Sequence, residues 1–471
     1  MVTTIQQVLI LDGAAGYRTV DVRLEGEKIV AIAPFLPPQG TLIDGRNKLL
    51  LPGFVNAHTH SSEMWQRGLI APLPLELWLA ELHDTSPTEP EQIYLSALGT
   101  AVETLLTGGT TVVDHLAMIP GREDESIEAA VRGYREAGIR AFVGPLIQDQ
   151  SLETGMPIGQ RHTPKTDPQV TAEVLAMMER AIAAHHNPAH GISIMTAPTG
   201  MQLCSDALFK GCIELSDRHS LCRHTHLLET KAQQMLALEK YGYSAVEHLK
   251  RIGFLGARTS LAHCVWLTDA DIPFLADTQS TVVHNPLSNL RLGSGIAPLF
   301  KYREAGVNVT FGCDGAASND SQDMLEAIKI GSILHCPTDF EYRRWITPRD
   351  AIQMASLGGV TGLGLGDQLG AIAEGKTADL VLYDLTDLSL LPRTDPIGLL
   401  VLGRPNQVVH HAWVNGKTVV ADGKMATVDV AHLKQKLSEH SQWDVVSAAT
   451  PRPRHALHRM EPQYRQVMGL E

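Results

Sequence analysis

The chain has 471 residues, 44% of them hydrophobic and 19% charged, and its 52 acidic against 39 basic residues leave a net charge of −13. This is the composition of a globular protein long enough to bury a large core, and an acidic balance without a Lys/Arg cluster argues against nucleic acid or an anionic membrane as partner. The 6 cysteines are scattered with no Cys-X-X-Cys pair, which reads as reduced thiols in a cytoplasmic protein; no signal-peptide pattern opens the chain and no apolar run reaches membrane-spanning length.

Residues 1–50 read as short strands punctuated by Gly13, Gly26 and Gly45. A similar texture returns in ADLVLYDL (378–385) and in 406–424, where Asn415-Gly416 is a hairpin signal. Between these ends, short apolar runs alternate with amphipathic helical stretches. One such stretch runs from Glu91 to Gly109, with glycines suited to a helix C-terminus; another starts at Thr230. Eight candidate strands fall at 51–60, 110–116, 140–147, 191–198, 221–229, 258–266, 280–288 and 308–316. Eight strand–helix alternations predict an α/β fold, a (β/α)8 TIM-like barrel over 53–367. A smaller β-sandwich domain would combine 1–52 with 368–430, and 431–471 would form a helical extension to which the sequence assigns no role.

Barrel active sites lie at the C-terminal ends of the strands. The first candidate strand ends in LPGFVNAHTH, with His58 and His60 two residues apart. Residues i and i+2 of a strand share a face, so both imidazoles aim at one point, and imidazole suits zinc and iron. The fifth strand carries His224 and His226, followed by Glu229; the sixth ends in His263, the seventh in His284 and the eighth in Asp314. Five strands thus end in a group that binds metal or moves a proton.

In order and spacing, LPGFVNAHTH, HTHLLET (224–230), SLAH (260–263), HNPLSNLRLGSG (284–295) and GCDGAASND (312–320) resemble the metal-dependent amidohydrolase superfamily. The likeness is to its cytosine/guanine/S-adenosylhomocysteine deaminase and triazine hydrolase branch and covers nearly the whole chain. It implies a single divalent metal, zinc or alternatively ferrous iron, held by His58, His60, His226 and Asp314. It implies that His263 contacts the metal's water, that Asp314 and His263 orient that water and accept its proton, and that Glu229 shuttles the proton as ammonia leaves an amino-heterocycle. A homodimer or larger homo-oligomer is also implied. No lysine ends the fourth strand, so a second metal bridged by a modified lysine is not expected.

The substrate is less sharply marked. Trp65, Gln66 and Trp78 lie on the loop after the first strand and are candidates for ring contact, as are His284, Ser288 and Asn289 at the seventh strand end. Adenosine-type relatives tend to place a histidine after the fourth strand, where this chain has Thr199, and an acid further along the first loop, where it has Ser86 and Pro87. Both departures favour nucleobase, pterin or triazine substrates. An s-triazine chlorohydrolase or N-alkylaminohydrolase is the near alternative, and a catalytically silent metal-binding scaffold the alternative of another class. Gly370 to Thr377 satisfies the P-loop pattern GxxxxGK[ST], but a strand-like run follows it where a phosphate loop needs a helix.

Overall fold

Runs rich in β-branched and aliphatic residues, separated by tight turns, make the first five strands: β1 (Val2–Asp12), β2 (Gly16–Glu25), β3 (Lys28–Ala33), β4 (Thr41–Asp44) and β5 (Lys48–Pro52). The computed structural model describes residues 2–13, 16–83, 86–157, 166–403, 405–440 and 455–470. Residues 84 and 85 of the first loop and 441–454 of the C-terminal extension therefore lie outside the described residues.

The barrel follows as β6 (Phe54–Thr59), β7 (Gly109–Leu116), β8 (Arg140–Ile147), β9 (Ile192–Ile194), β10 (Ala197–Pro198), β11 (Arg223–Leu227), β12 (Thr259–His263), β13 (Thr281–His284) and β14 (Val309–Phe311). All pair in parallel, with β9 and β10 sharing the fourth position beside β8. The predicted first strand straddles two sheets: Leu51 and Pro52 close β5, and β6 starts at Phe54. Two seams join the sheet β6–β10 to the sheet β11–β14. At one, Thr196 bridges to Arg223 and its carbonyl accepts from His224 N at 2.9 Å. At the other, Asp314 N donates to His58 O at 2.8 Å, so two expected metal ligands also close the barrel. Val55, Ala57, Val113, Phe142, Met195 and Val283 pack together as one cluster, while Phe54, Val143, Leu261 and Phe311 belong to the larger core shared with the helices.

The second small-domain segment supplies β15 (Leu380–Asp384), β16 (Val409–Val414), β17 (Lys417–Ala421) and β18 (Lys424–Met425). Hydrogen bonding joins these strands to β1–β5 in one nine-stranded sheet, where the sequence suggested a two-sheet sandwich. The junction is antiparallel, Leu50 opposite Leu382. Alternation decides what each face buries: Leu49, Leu51, Val381 and Tyr383 join the large barrel core, while Leu50, Leu380 and Leu382 join a separate core with Ile5, Val22, Ile29 and Trp413. Asn415 and Gly416 both have positive φ (50° and 69°), the hairpin geometry read from the sequence, and a Cβ on Gly416 would sit 2.0 Å from Gly26 O. The segment resembling a P-loop leads into β15, and Lys376 Nζ donates to Gly366 O at 2.8 Å.

The helix Leu75–His83 follows β6 and packs against the C-terminal helix His455–Met468 through Leu77, Ala80, Leu457 and Met460. Among the described residues, no helix is long and apolar enough to cross a membrane.

Candidate metal centre and active site

The register of β6 against β7 shifts between Asn56 and Thr59, and the His58 and His60 rings meet edge to face with centroids 4.8 Å apart. His60 Nε2 lies 3.1 Å from His226 Nε2, and Asp314 Oδ1 lies 3.3 Å from His58 Nε2 and 3.6 Å from His60 Nε2. The second nitrogen of each ring is committed. His60 Nδ1 donates to His115 O at 2.6 Å and His226 Nδ1 to Thr199 O at 2.7 Å. His58 Nδ1 faces His224 Nε2 at 2.8 Å, and His224 Nδ1 faces Ser260 Oγ at 2.7 Å.

A carbonyl can only accept, so His60 and His226 carry their protons on Nδ1 and leave bare lone pairs on Nε2. Two bare lone pairs 3.1 Å apart repel, and the buried His58 Nε2 has no hydrogen-bond partner. Burial disfavours the charged form of three rings: His58 is pushed down to about 4, and His226 and His224 well below the usual imidazole value. Neutral imidazoles with converging lone pairs beside a carboxylate are the donor set that zinc and ferrous iron take. The residues present therefore fit a divalent metal.

Three proton-carrying groups adjoin this set. His263 Nε2 lies 3.5 Å from Glu229 Oε2 and 3.7 Å from Asp314 Oδ2. His263 Nδ1 donates to Asn289 Oδ1 at 2.9 Å, which frees Nε2 to accept. Ser294 Oγ donates to Glu229 Oε1 at 3.1 Å and Ser288 Oγ to Asp314 Oδ2. Burial pushes Glu229 up to about 7, with His263 opposing and the Asp314 and Glu76 carboxyls reinforcing. Asp314 and His263 both have left-handed backbone (φ 64° and 74°), a strain characteristic of functional positions.

The expected substrate contacts divide. Gln66 is buried with its Oε1 unpaired. Trp65 instead donates from Nε1 to Gln92 O at 2.9 Å and anchors the loop to the helix Pro90–Leu106. Trp78 is buried among Ile70, Leu75, Leu292 and Ala317. Thr199 orients His226 through its carbonyl, and its hydroxyl donates to Ile147 O. Asn289 positions His263. His284 lies outside the group formed by His58, His60, His226 and Asp314: its Nε2 faces His335 Nε2 at 3.1 Å beside Phe311. Sequence reasoning passed over Ser260, Ser294 and Glu63, whose roles come from tertiary contacts. It also passed over His115, which asking what closes the second strand would have reached.

The match to the model of the amidohydrolase family covers residues 49–419. A 5-methylthioadenosine/S-adenosylhomocysteine deaminase of Caldanaerobacter subterraneus subsp. tengcongensis is 32% identical over 431 residues, 90% of this chain and 93% of the relative. A 5'-deoxyadenosine deaminase of Methanothermobacter thermautotrophicus is 32% identical over 433 residues, 90% of this chain and 95% of the relative. Among solved structures, a zinc complex of atrazine chlorohydrolase from Arthrobacter aurescens superposes with a TM-score of 0.85 at 26% identity, covering 93% of this chain and 99% of that one. An adenosine deaminase of Xanthomonas campestris with bound zinc gives 0.80 at 27% identity, covering 93% and 97%. The chain belongs to the amidohydrolase family. It is a metal-dependent hydrolase acting on carbon–nitrogen bonds other than peptide bonds, of the hydrolytic deaminase kind.

Proposed function

We propose that this enzyme deaminates an amino-substituted N-heterocycle of nucleobase, pterin or triazine type, with water entering and ammonia leaving. One observation carries the reading: Glu229, His263 and Asp314 converge within 3.7 Å contacts beside the histidine cluster. His58, His60, His226 and Asp314 would hold one divalent metal, zinc with ferrous iron as alternative, which when bound lowers the pKa of water and furnishes the nucleophile near neutral pH.

The chain's own residues move the protons. Asp314 Oδ2 and His263 Nε2, 3.7 Å apart, orient the water and accept its proton as oxygen bonds to the amine-bearing carbon. Glu229, starting ionised next to His263, takes over that proton and delivers it to the adjacent ring nitrogen, so that carbon becomes tetrahedral without charge building on the ring. The proton of the newly added hydroxyl then passes through Asp314 to the exocyclic amine, the C–N bond breaks with its electrons on nitrogen so that ammonia leaves, and the ring keeps a carbonyl. Burial of all three groups excludes bulk water from these transfers. Gln66 would accept from a ring N–H, a role supported by its buried Oε1 having no partner.

The ring is free of a ribose in this reading. It is supported by Thr199 and Ser86 standing where adenosine-type relatives tend to have a histidine and an acid; their hydroxyls donate to Ile147 O and Leu82 O. A second reading, hydrolysis of a chloro- or N-alkylamino-triazine, is favoured by the likeness to atrazine chlorohydrolase. Metal-loaded enzyme assayed on amino-heterocycles, adenosine derivatives and chlorotriazines separates them: ammonia from bases or pterins supports the proposal, and chloride supports the second reading. Wild type and Glu229→Gln equally inert across the panel with metal bound would favour a silent scaffold. The free state of all 6 cysteines supports a cytoplasmic setting. A homodimer or larger assembly is supported by the exposed Phe340 and Tyr342 on one short segment and is measured by sedimentation.

A further inference from the structure

His115, next to last in β7, is fully buried and unused by the chemistry above. Its Nε2 donates to Ala197 O at 2.8 Å. That acceptor fixes the proton on Nε2, so Nδ1 of the neutral ring carries a lone pair, and this buried Nδ1 has no hydrogen-bond partner. The ring stacks on His226 with centroids 4.8 Å apart and on His60 at 5.5 Å, and stands edge-on to His58 at 6.1 Å. One ring nitrogen each from His58, His60, His115 and His226 lies within 4.8 Å of the others. Two nitrogens bound to one ion at ~2.1 Å can stand up to ~4.2 Å apart, so small inward shifts bring all four onto a single ion.

We propose that His115 Nδ1 is a further donor to the metal, so that the second barrel strand joins the first, fifth and eighth in building the centre. The inference rests on reading His58, His60, His226 and Asp314 as ligands, and it changes what that centre selects. Four imidazoles and a carboxylate move the preference from four-coordinate zinc toward an ion at ease with more ligands, ferrous iron among those imidazole suits. It also gives His115 a double role. Its carbonyl holds the His60 Nδ1 proton at 2.6 Å, while its own ring faces the same ion.

The test uses the full chain loaded with cobalt(II). X-ray absorption of the wild type counts imidazole ligands directly, independent of any variant's folding, and four are expected. In His115→Gln the side-chain amide can keep the bond to Ala197 O but offers no nitrogen at the Nδ1 position. This variant should lose one imidazole, show stronger visible cobalt absorption as the coordination number falls, and lose about tenfold or more in affinity in competition with a chelator. Three imidazoles in the wild type, or an unchanged spectrum and affinity in His115→Gln, overturns the proposal. A parallel His226→Gln variant keeps the two readings apart: if it too binds cobalt unchanged, the metal centre itself is wrongly placed.

Discussion

Glu229 Oε2 and His263 Nε2 face each other across 3.5 Å with both side chains buried. The Nδ1 proton of His263 is committed to Asn289 Oδ1, so His263 Nε2 and the Glu229 carboxylate are two acceptors with room for one proton between them. Burial, with help from Asp314 and Glu76, holds Glu229 at about 7, where it changes state near neutral pH. It must start ionised to take up a proton originating from water, so activity should fall as pH drops below about 7. Glu229→Gln should lower kcat by about 10²–10⁴-fold, abolish that acid limb of kcat/KM in ammonia release, and leave metal content unchanged.

His224 lies behind the metal set. His58 Nδ1 and His224 Nε2 are 2.8 Å apart, and His224 in turn meets Ser260 Oγ. Ser260 Oγ donates to Arg223 O at 3.4 Å and so accepts from His224 Nδ1, which leaves His224 Nε2 to accept from His58 Nδ1 and turns the His58 Nε2 lone pair toward the proposed metal position. His224→Phe fills the space but accepts no proton, and by analogy with other outer partners of ligating histidines should weaken metal binding about 10–100-fold. Competition with a chelator measures it. Unchanged affinity would mean that His58 is oriented by the backbone alone.

The cluster proposed to hold the metal was legible because His58, His60, His226 and Asp314 sit at strand ends, where one-dimensional spacing maps directly onto position around the barrel mouth. The supporting groups were not. Ser294 reaches Glu229 from 65 residues away and Asn289 reaches His263 from 26, distances over which no local periodicity carries information. The pairing of His284 Nε2 with His335 Nε2, 51 positions away, was equally out of reach of the sequence. The nine-stranded sheet was legible as strands but not as one sheet, since the pairing of β5 with β15 joins residues more than 300 positions apart.

Glu63 carries a different consequence of burial. Its Oε2 is buried without a partner, and a Cβ on Gly315 would lie 1.7 Å from it. Burial first, opposed by His60 and reinforced by Asp314, pushes this carboxyl up to about 8, so it is neutral at pH 7. A folded-state value above the ordinary 4.5 means that its contribution to stability is complete below about 4.5 and is lost as pH rises through about 8. Glu63→Gln keeps the shape and cannot ionise. Urea unfolding should show the variant gaining on the wild type as pH rises from about 4.5 to about 8; parallel pH dependences in the two proteins would refute the assignment.

The barrel and the nine-stranded sheet are tied by an ion pair at their contact. Arg140, at the start of β8, binds Asp379 through Nε at 3.0 Å and Nη2 at 3.1 Å, and also reaches Asn415 Oδ1. Both side chains are nearly buried, at 10% and 4% exposure. Truncating one partner of such a pair leaves the other charge unpaired, so Arg140→Ala should cost about 3–5 kcal/mol in chemical unfolding. Replacing Arg140 by Met and Asp379 by Leu together should recover much of that loss, because two well-packed apolar residues avoid the desolvation cost altogether.

The C-terminal helix bears on the site through one intermediary. Leu457 and Met460 pack on Leu77 and Ala80 of the helix Leu75–His83. That helix also presents Glu76, which accepts from Thr230 Oγ1 next to Glu229, and Trp78, which packs on Leu292 and Ala317 of the loops after β13 and β14. Loosening its outer contact should therefore disturb the wall of the pocket without touching the proton-transfer groups. Met460→Asp places a charge in a buried apolar contact and should undock the C-terminal helix, since even losing the Met side chain to Ala costs about 2–5 kcal/mol in a core. The expected outcome is a raised KM with kcat changed less, together with new protease sensitivity within residues 75–83. Protease sensitivity appearing with KM unchanged would show that the extension stabilises this helix but does not shape the pocket.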